Sequence, residues 1–93
     1  FINFHMVYYV YLIKTTDGYK NKSYVGYTNN LERRINSHNS NNGAKSTKGY
    51  KWELVYKKKF YIKKKALSFE YKLKKDRKER SQIIYDFKKK SKY

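Results

Sequence analysis

Apolar and aromatic residues cluster in three short, strand-like stretches of the chain and recur at helical spacing in three others. From Met6 to Thr15, Val7, Tyr9, Tyr11 and Ile13 alternate with Tyr8, Val10 and Leu12, so both faces are apolar or aromatic. That pattern predicts a strand with few polar exits. Thr16-Asp17-Gly18 and Lys20-Asn21-Lys22 mark a turn region, and Ser23 to Thr28 predict a second strand. The two are close enough for an antiparallel hairpin with an extended loop. A helix is expected from Leu31 to Asn39, capped by Asn29 or Asn30; Asn29 with Glu32 three positions on resembles a capping box. Leu31 and Ile35 would face the sheet, while Arg34 and His38, also four apart, lie on a neighbouring face.

The segment Gly43 to Gly49 is expected to be flexible and basic. Trp52 to Phe60 predict a third strand with Trp52, Leu54 and Tyr56 on one face, leaving the core at Lys57-Lys58-Lys59. A second helix is expected from Lys63 to Lys74, with Ala66, Leu67, Phe69 and Leu73 as its apolar stripe and Glu70 beside it. A last helix would hold Ile83, Ile84 and Phe87. Met6 is a plausible start residue, so residues 1–5 are read as an extension, 6–87 as one domain and 88–93 as a fraying basic tail. The expected fold class is α+β: a small three-stranded antiparallel sheet flanked by helices.

Charge narrows the function. The 93 residues carry 24 Lys+Arg against 7 Asp+Glu, a formal net charge of +17. A positive field over most of so small a surface points to a polyphosphate partner, since each neutralised phosphate releases condensed counterions. An anionic membrane is the competing partner. An A- and T-rich coding sequence would also raise lysine, asparagine and tyrosine and remove proline, so charge supports the argument without carrying it. The absence of cysteine excludes disulfides and thiolate zinc sites. Neither His5 nor His38 has a second histidine nearby, which leaves a hard cation on a carboxylate as the remaining metal chemistry. No apolar run reaches membrane-spanning length and no secretory signal is evident, so the expected location is intracellular.

The residues that suggest chemistry form an ordered series: Tyr9-Val10-Tyr11, Tyr24-Val25-Gly26-Tyr27-Thr28, Arg33-Arg34, His38, and Ala66-Leu67-Ser68-Phe69-Glu70. Two phenols, a guanidinium and an imidazole suit the holding and attack of a phosphodiester. Each residue alone has a blander explanation, because tyrosine is common in strands and arginine on helix surfaces. The ordered series resembles the GIY-YIG nuclease superfamily, with Tyr9-Val10-Tyr11 and Tyr24-Val25-Gly26 as its two signatures, over about Val7 to Leu73. Two branches look most similar. One is the nuclease domain of the eukaryotic subunit that cleaves flaps and branched junctions, through Gly43-Ala44-Lys45-Ser46-Thr47 and Trp52-Glu53-Leu54-Val55. The other is the group of small stand-alone bacterial proteins. The chain departs from the signature at Tyr9, where glycine is usual.

The resemblance implies one-metal hydrolysis of DNA, in repair or recombination. Glu70 would hold Mg²⁺ or Mn²⁺; alternatively it pairs with Lys74 at i+4. Arg34 would bind the scissile phosphate, and Tyr11 and Tyr24 would point their hydroxyls at the metal, Tyr11 nearer the attacking water. His38 would hold a tyrosine hydroxyl or a phosphate, or move a proton. Lys45, Ser46, Thr47 and Lys48 would line the nucleic-acid groove. With no element suited to reading base edges, selectivity would rest on branched or flapped backbone shape, on a partner protein or on a second copy of the chain. The rival readings are a binding module that no longer cleaves, a basic structural protein, and membrane association through the C-terminal stretch.

Overall fold

The computed structural model describes residues 6–90, so the assigned extension and the last three residues of the tail lie outside the described residues. Three strands, β1 (Tyr8–Thr15), β2 (Ser23–Thr28) and β3 (Trp52–Phe60), form an antiparallel sheet in the order β2-β1-β3. Three α-helices complete the α+β fold: α1 (Leu31–Asn39), α2 (Lys63–Lys75) and α3 (Arg77–Lys90). β1 begins two residues later than its apolar pattern suggests, because its partners run out: Tyr8 faces Phe60 and Tyr9 faces Thr28 at the ends of the ladders. The last helix continues through Lys90, so Lys88–Lys90 are helical and not tail.

The central position of β1 explains its two apolar faces. Tyr11 and Ile13 pack with Trp52, Tyr24, Leu31 and Ile35 beneath α1. Val10 and Leu12 pack with Val25, Ala66 and Leu73 beneath α2, joined by Ile83 and Ile84 of α3. The molecule is therefore three layers, with the sheet between α1 and the α2–α3 pair. Even Lys14 is buried; its ammonium pairs with Glu53, its cross-strand neighbour, at 2.6 Å. Thr15 closes the hairpin, accepting a hydrogen bond from the Lys22 N–H at 3.0 Å and donating to the Lys20 carbonyl at 2.9 Å.

Three local expectations change. Trp52, Leu54 and Tyr56 do not share a face. A bulge pairs Leu12 with Tyr56 but Ile13 with Leu54, leaving Val55 as the extra residue. The alternation slips by one there, so Trp52 and Leu54 stay beneath α1 while Val55 and Tyr56 join the α2 side. Asn30 caps α1 by accepting the Arg33 N–H at 3.1 Å, so no capping box joins Asn29 to Glu32. On α2, Ala66 and Leu73 are buried and Phe69 is partly buried, but Leu67 is 41% exposed and lies outside the stripe.

This last distinction predicts unequal costs. Leu73→Ala should lower the unfolding free energy by about 2–5 kcal/mol through lost burial and a cavity. Leu67→Ala should change it by less than about 1 kcal/mol. Urea denaturation followed by circular dichroism measures both, and equal losses would contradict the packing described.

Candidate active site

β1 and β2 set the tyrosines side by side. Tyr11 pairs with Gly26, and a Cβ at Gly26 would overlap the Tyr11 hydroxyl. Glycine therefore lets the Tyr11 ring lie across β2, one of the two edge strands of the sheet. Tyr24 sits on the same side, its ring centroid 6.4 Å from that of Tyr11 and 5.0 Å from that of His38.

α1 delivers the other two groups. The four-residue spacing that places Arg34 and His38 on one face brings both to the Tyr11 hydroxyl. That oxygen lies 2.7 Å from His38 Nε2 and accepts a hydrogen bond from Arg34 Nε at 3.2 Å. His38 is fully buried, and its Nδ1 lies 2.9 Å from the Thr47 hydroxyl. Arg34 is half-buried whereas Arg33 is exposed, which selects Arg34 as the arginine of the cluster.

Electrostatics follow from burial. The Tyr11 pKa rises from 10.0 to about 12, driven by burial and opposed by its bond to Arg34; Tyr24 and the Glu70 carboxylate add smaller upward contributions. Burial and the Arg34 charge push His38 down from 6.5 to about 4, so its ring is neutral at physiological pH. For Arg34, burial opposes the charged form, but the Tyr11 and Tyr24 phenols outweigh it and the pKa is raised.

Glu70 stands apart from this direct contact network. It is carried by α2 and has no hydrogen bond to Tyr11, Arg34 or His38 among those of the described residues, but its charge is near enough to act on the Tyr11 phenol. Its side chain is largely covered, at 17% exposure, and its carboxylate lies 3.2 Å from the Lys74 ammonium, the i+4 pairing foreseen as its alternative role. Among the described residues no group of three or more His, Cys, Asp or Glu converges to hold a metal. Both ring nitrogens of His38 are occupied by hydroxyls. Among the described residues Glu70 is the carboxylate whose charge acts on the cluster, and a carboxylate oxygen with water and phosphate oxygens is the kind of donor set that a hard cation such as Mg²⁺ or Mn²⁺ would take.

Lys45–Thr47 form a single 3₁₀ turn and not a flexible loop. Thr47 is fully buried, so it does not line a groove; its hydroxyl donates to the Ala44 carbonyl at 2.8 Å, and its own carbonyl accepts from the Trp52 indole at 3.0 Å. Lys45, Ser46 and Lys48 are exposed around it, at the rim of the cluster. Tyr11 also departs from its expected place beside the attacking water: it is 0% exposed, and Tyr24, Arg34 and Glu70 are the partly exposed members. Gly43 was not singled out by its spacing, yet a Cβ there would strike His38 Nδ1 at 2.5 Å. Its place at the head of the Gly43-Ala44-Lys45-Ser46-Thr47 segment is the sequence signal that marks it.

A three-layer α+β domain with paired strand tyrosines linked to a helical arginine and histidine defines a class of small catalytic domains. The chain belongs to the GIY-YIG catalytic domain family, a family of nucleases acting on DNA, which it matches over residues 7–83. It is 45% identical over 78 residues to the UPF0213 protein CPE1444 of Clostridium perfringens, covering 82% of this chain and 81% of that one. It is 35% identical over 85 residues to the UPF0213 protein YazA of Bacillus subtilis, covering 90% and 83%. The solution NMR structure of the UPF0213 protein BH0048 from Bacillus halodurans is 36% identical, with a TM-score of 0.49 over 86% of this chain and 84% of that one.

The neutral, buried His38 makes stability depend on pH. Its folded pKa of about 4 lies below its ordinary 6.5, so the unfolded chain binds the proton more readily. This contribution is intact above about pH 6.5 and is lost as pH falls toward 4, by on the order of 3 kcal/mol. Urea titrations at pH 7 and pH 4.5 should show a larger loss for the wild type than for His38→Gln. Equal losses would contradict burial of a neutral ring.

Proposed function

We propose that this protein is a metal-dependent endonuclease that hydrolyses DNA phosphodiesters and prefers branched or flapped substrates. The observation that carries this reading is the single oxygen, Tyr11 Oη, contacted by both His38 and Arg34, with Tyr24 and the Glu70 charge beside it. A net charge of +17 supplies the attraction for the nucleic acid.

In this reading Arg34 binds the scissile phosphate. Its Nε is engaged by Tyr11, so the other N–H groups of the planar fork reach the phosphate oxygens and stabilise charge that grows in the transition state. Tyr24, the partly exposed phenol, meets the phosphate or the attacking water. Tyr11 anchors Arg34 from below; a phenol with a pKa of about 12 is a poor general base at neutral pH. His38 holds the Tyr11 hydroxyl in place. Glu70 would exchange its Lys74 pairing for Mg²⁺ or Mn²⁺. Such a cation, when bound, supplies Lewis-acid stabilisation of the phosphoryl oxygens and a more acidic water. The water oxygen bonds to phosphorus, the bond to the departing strand breaks, and the departing oxygen takes up a proton.

The preference for branches or flaps is supported by the likeness of Gly43 to Thr47 to the eukaryotic junction-cleaving subunit. It also fits the exposed Lys45, Ser46 and Lys48, which are suited to backbone contacts. A partner protein or a second copy of the chain would add selectivity. A second reading, a binding module that does not cleave, is favoured by one observation: the Glu70 carboxylate is already paired with Lys74.

The test is cleavage of duplex, flap and four-way DNA with Mg²⁺ or Mn²⁺. Activity should appear with the metal, vanish with chelator and favour the flap or junction. Glu70→Gln and Arg34→Ala should each reduce the rate by about 100-fold or more while DNA binding persists. A double variant that cuts like the wild type would overturn the assignment. Salt-sensitive binding without any metal-dependent cleavage would establish the second reading.

A further inference from the structure

The hydrogen bonds around His38 have a direction, and Thr47 sets it. The Thr47 hydroxyl carries one proton. Its oxygen lies 2.8 Å from the Ala44 carbonyl, which can only accept, so the proton belongs in that bond. Donating it to His38 instead would leave two oxygen lone pairs facing each other at 2.8 Å. With its proton committed, Thr47 Oγ1 accepts at 2.9 Å, and His38 Nδ1 must carry the hydrogen. A neutral imidazole has one N–H, so Nε2 is then the bare acceptor and the Tyr11 hydroxyl donates to it at 2.7 Å. The Tyr11 oxygen keeps its lone pairs for the Arg34 Nε–H, which arrives at 3.2 Å.

We infer that Thr47 is a positioning residue that fixes His38 as the Nδ1–H tautomer and thereby turns the Tyr11 lone pairs toward Arg34. The opposite tautomer would fail at both ends. An Nε2–H donating to Tyr11 would deprive the phenol proton of His38 as its acceptor. A bare Nδ1 would face an Oγ1 whose proton is already used.

The surroundings hold the arrangement. Gly43 packs against Nδ1 so closely that a Cβ would displace the ring, and the Trp52 indole fixes the Thr47 carbonyl at 3.0 Å. Thr47, His38 and Tyr11 are all fully buried, so water does not compete. Where a carboxylate sets the tautomer of a catalytic histidine in a hydrolytic triad, disturbing it costs about 10⁴-fold in rate. Here a neutral hydroxyl does the corresponding task, one step further from the substrate, and the catalytic consequence rests on the function proposed above.

Long-range ¹H–¹⁵N correlation of the histidine rings in the full chain at neutral pH reads the tautomer directly, with His5→Gln separating the two histidines. Wild-type protein should show a protonated Nδ1 and a bare Nε2 at His38. Thr47→Val, which keeps the shape and removes the hydroxyl, should shift His38 toward Nε2–H, and Thr47→Ser should retain the wild-type pattern. A wild-type Nε2–H ring, or a Thr47→Val ring that stays Nδ1–H, would overturn the inference. If Thr47→Val does not fold, the wild-type and Thr47→Ser spectra still decide it, since either showing an Nε2–H ring contradicts it. In a cleavage assay Thr47→Val should lose about 10–100-fold in kcat with DNA affinity unchanged, and Thr47→Ser should recover most of it. Full activity in Thr47→Val would refute the positioning role. A correct tautomer pattern in a protein that cuts no DNA would support the hydrogen-bond chain and reject the nuclease reading, so the two fail separately.

Discussion

The structure depends on one buried oxygen. Tyr11 Oη sits inside a domain of 93 residues, where an unpaired hydroxyl would cost on the order of 1–3 kcal/mol. It is paired on both sides, with His38 and with Arg34. The two partners also act on each other: the histidine is kept neutral by burial and by the arginine's charge, while the arginine is kept charged with the help of the phenols. A chain this basic has many cations at its surface. Few are held this way, half-covered and oriented from below.

The architecture serves that pairing. A central strand buried on both faces lets Tyr11 occupy the α1 layer while its neighbours Val10 and Leu12 build the α2 layer. Gly26 opens the space across β2, and Gly43 opens the space beside His38. Two glycines far apart in sequence therefore do the same job, allowing an aromatic ring to approach backbone more closely than any side chain would permit. The bulge at Val55 keeps Trp52 on the α1 side, where its indole secures the turn carrying Thr47, and commits Tyr56 to the opposite side.

Much of this was legible in the sequence, and the failures have physical causes. The apolar period fixed the strands and α1 closely, since burial on one or both faces leaves a periodic trace. Arg34 and His38 meet at one oxygen as their four-residue spacing, together with the family register, leads one to expect. The faces of β3 were misassigned because a bulge leaves no pattern in a single strand; it belongs to the pairing with β1. Leu67 was counted as core because composition does not tell the inner edge of a helical stripe from the outer. Thr47 was read as a groove residue because its neighbours are lysine and serine. Its true partner, His38, lies nine residues away across a turn, a contact that no local pattern reports. Tyr11, expected nearer the attacking water, is fully buried with its hydroxyl engaged by His38 and Arg34, contacts that lie 27 and 23 residues away in the chain.

In the proposed function, Tyr24, Arg34 and Glu70 would form the exposed edge of one site where a cation and a DNA phosphate meet. Paramagnetic broadening of backbone amides by trace Mn²⁺, recorded with and without an uncleavable phosphorothioate flap DNA, tests this directly. Broadening should centre on Glu70 and extend to Tyr24 and Arg34, strengthen when the DNA is present, and disappear in Glu70→Gln. Broadening centred elsewhere on the fold, or unchanged by that substitution, would contradict the shared site.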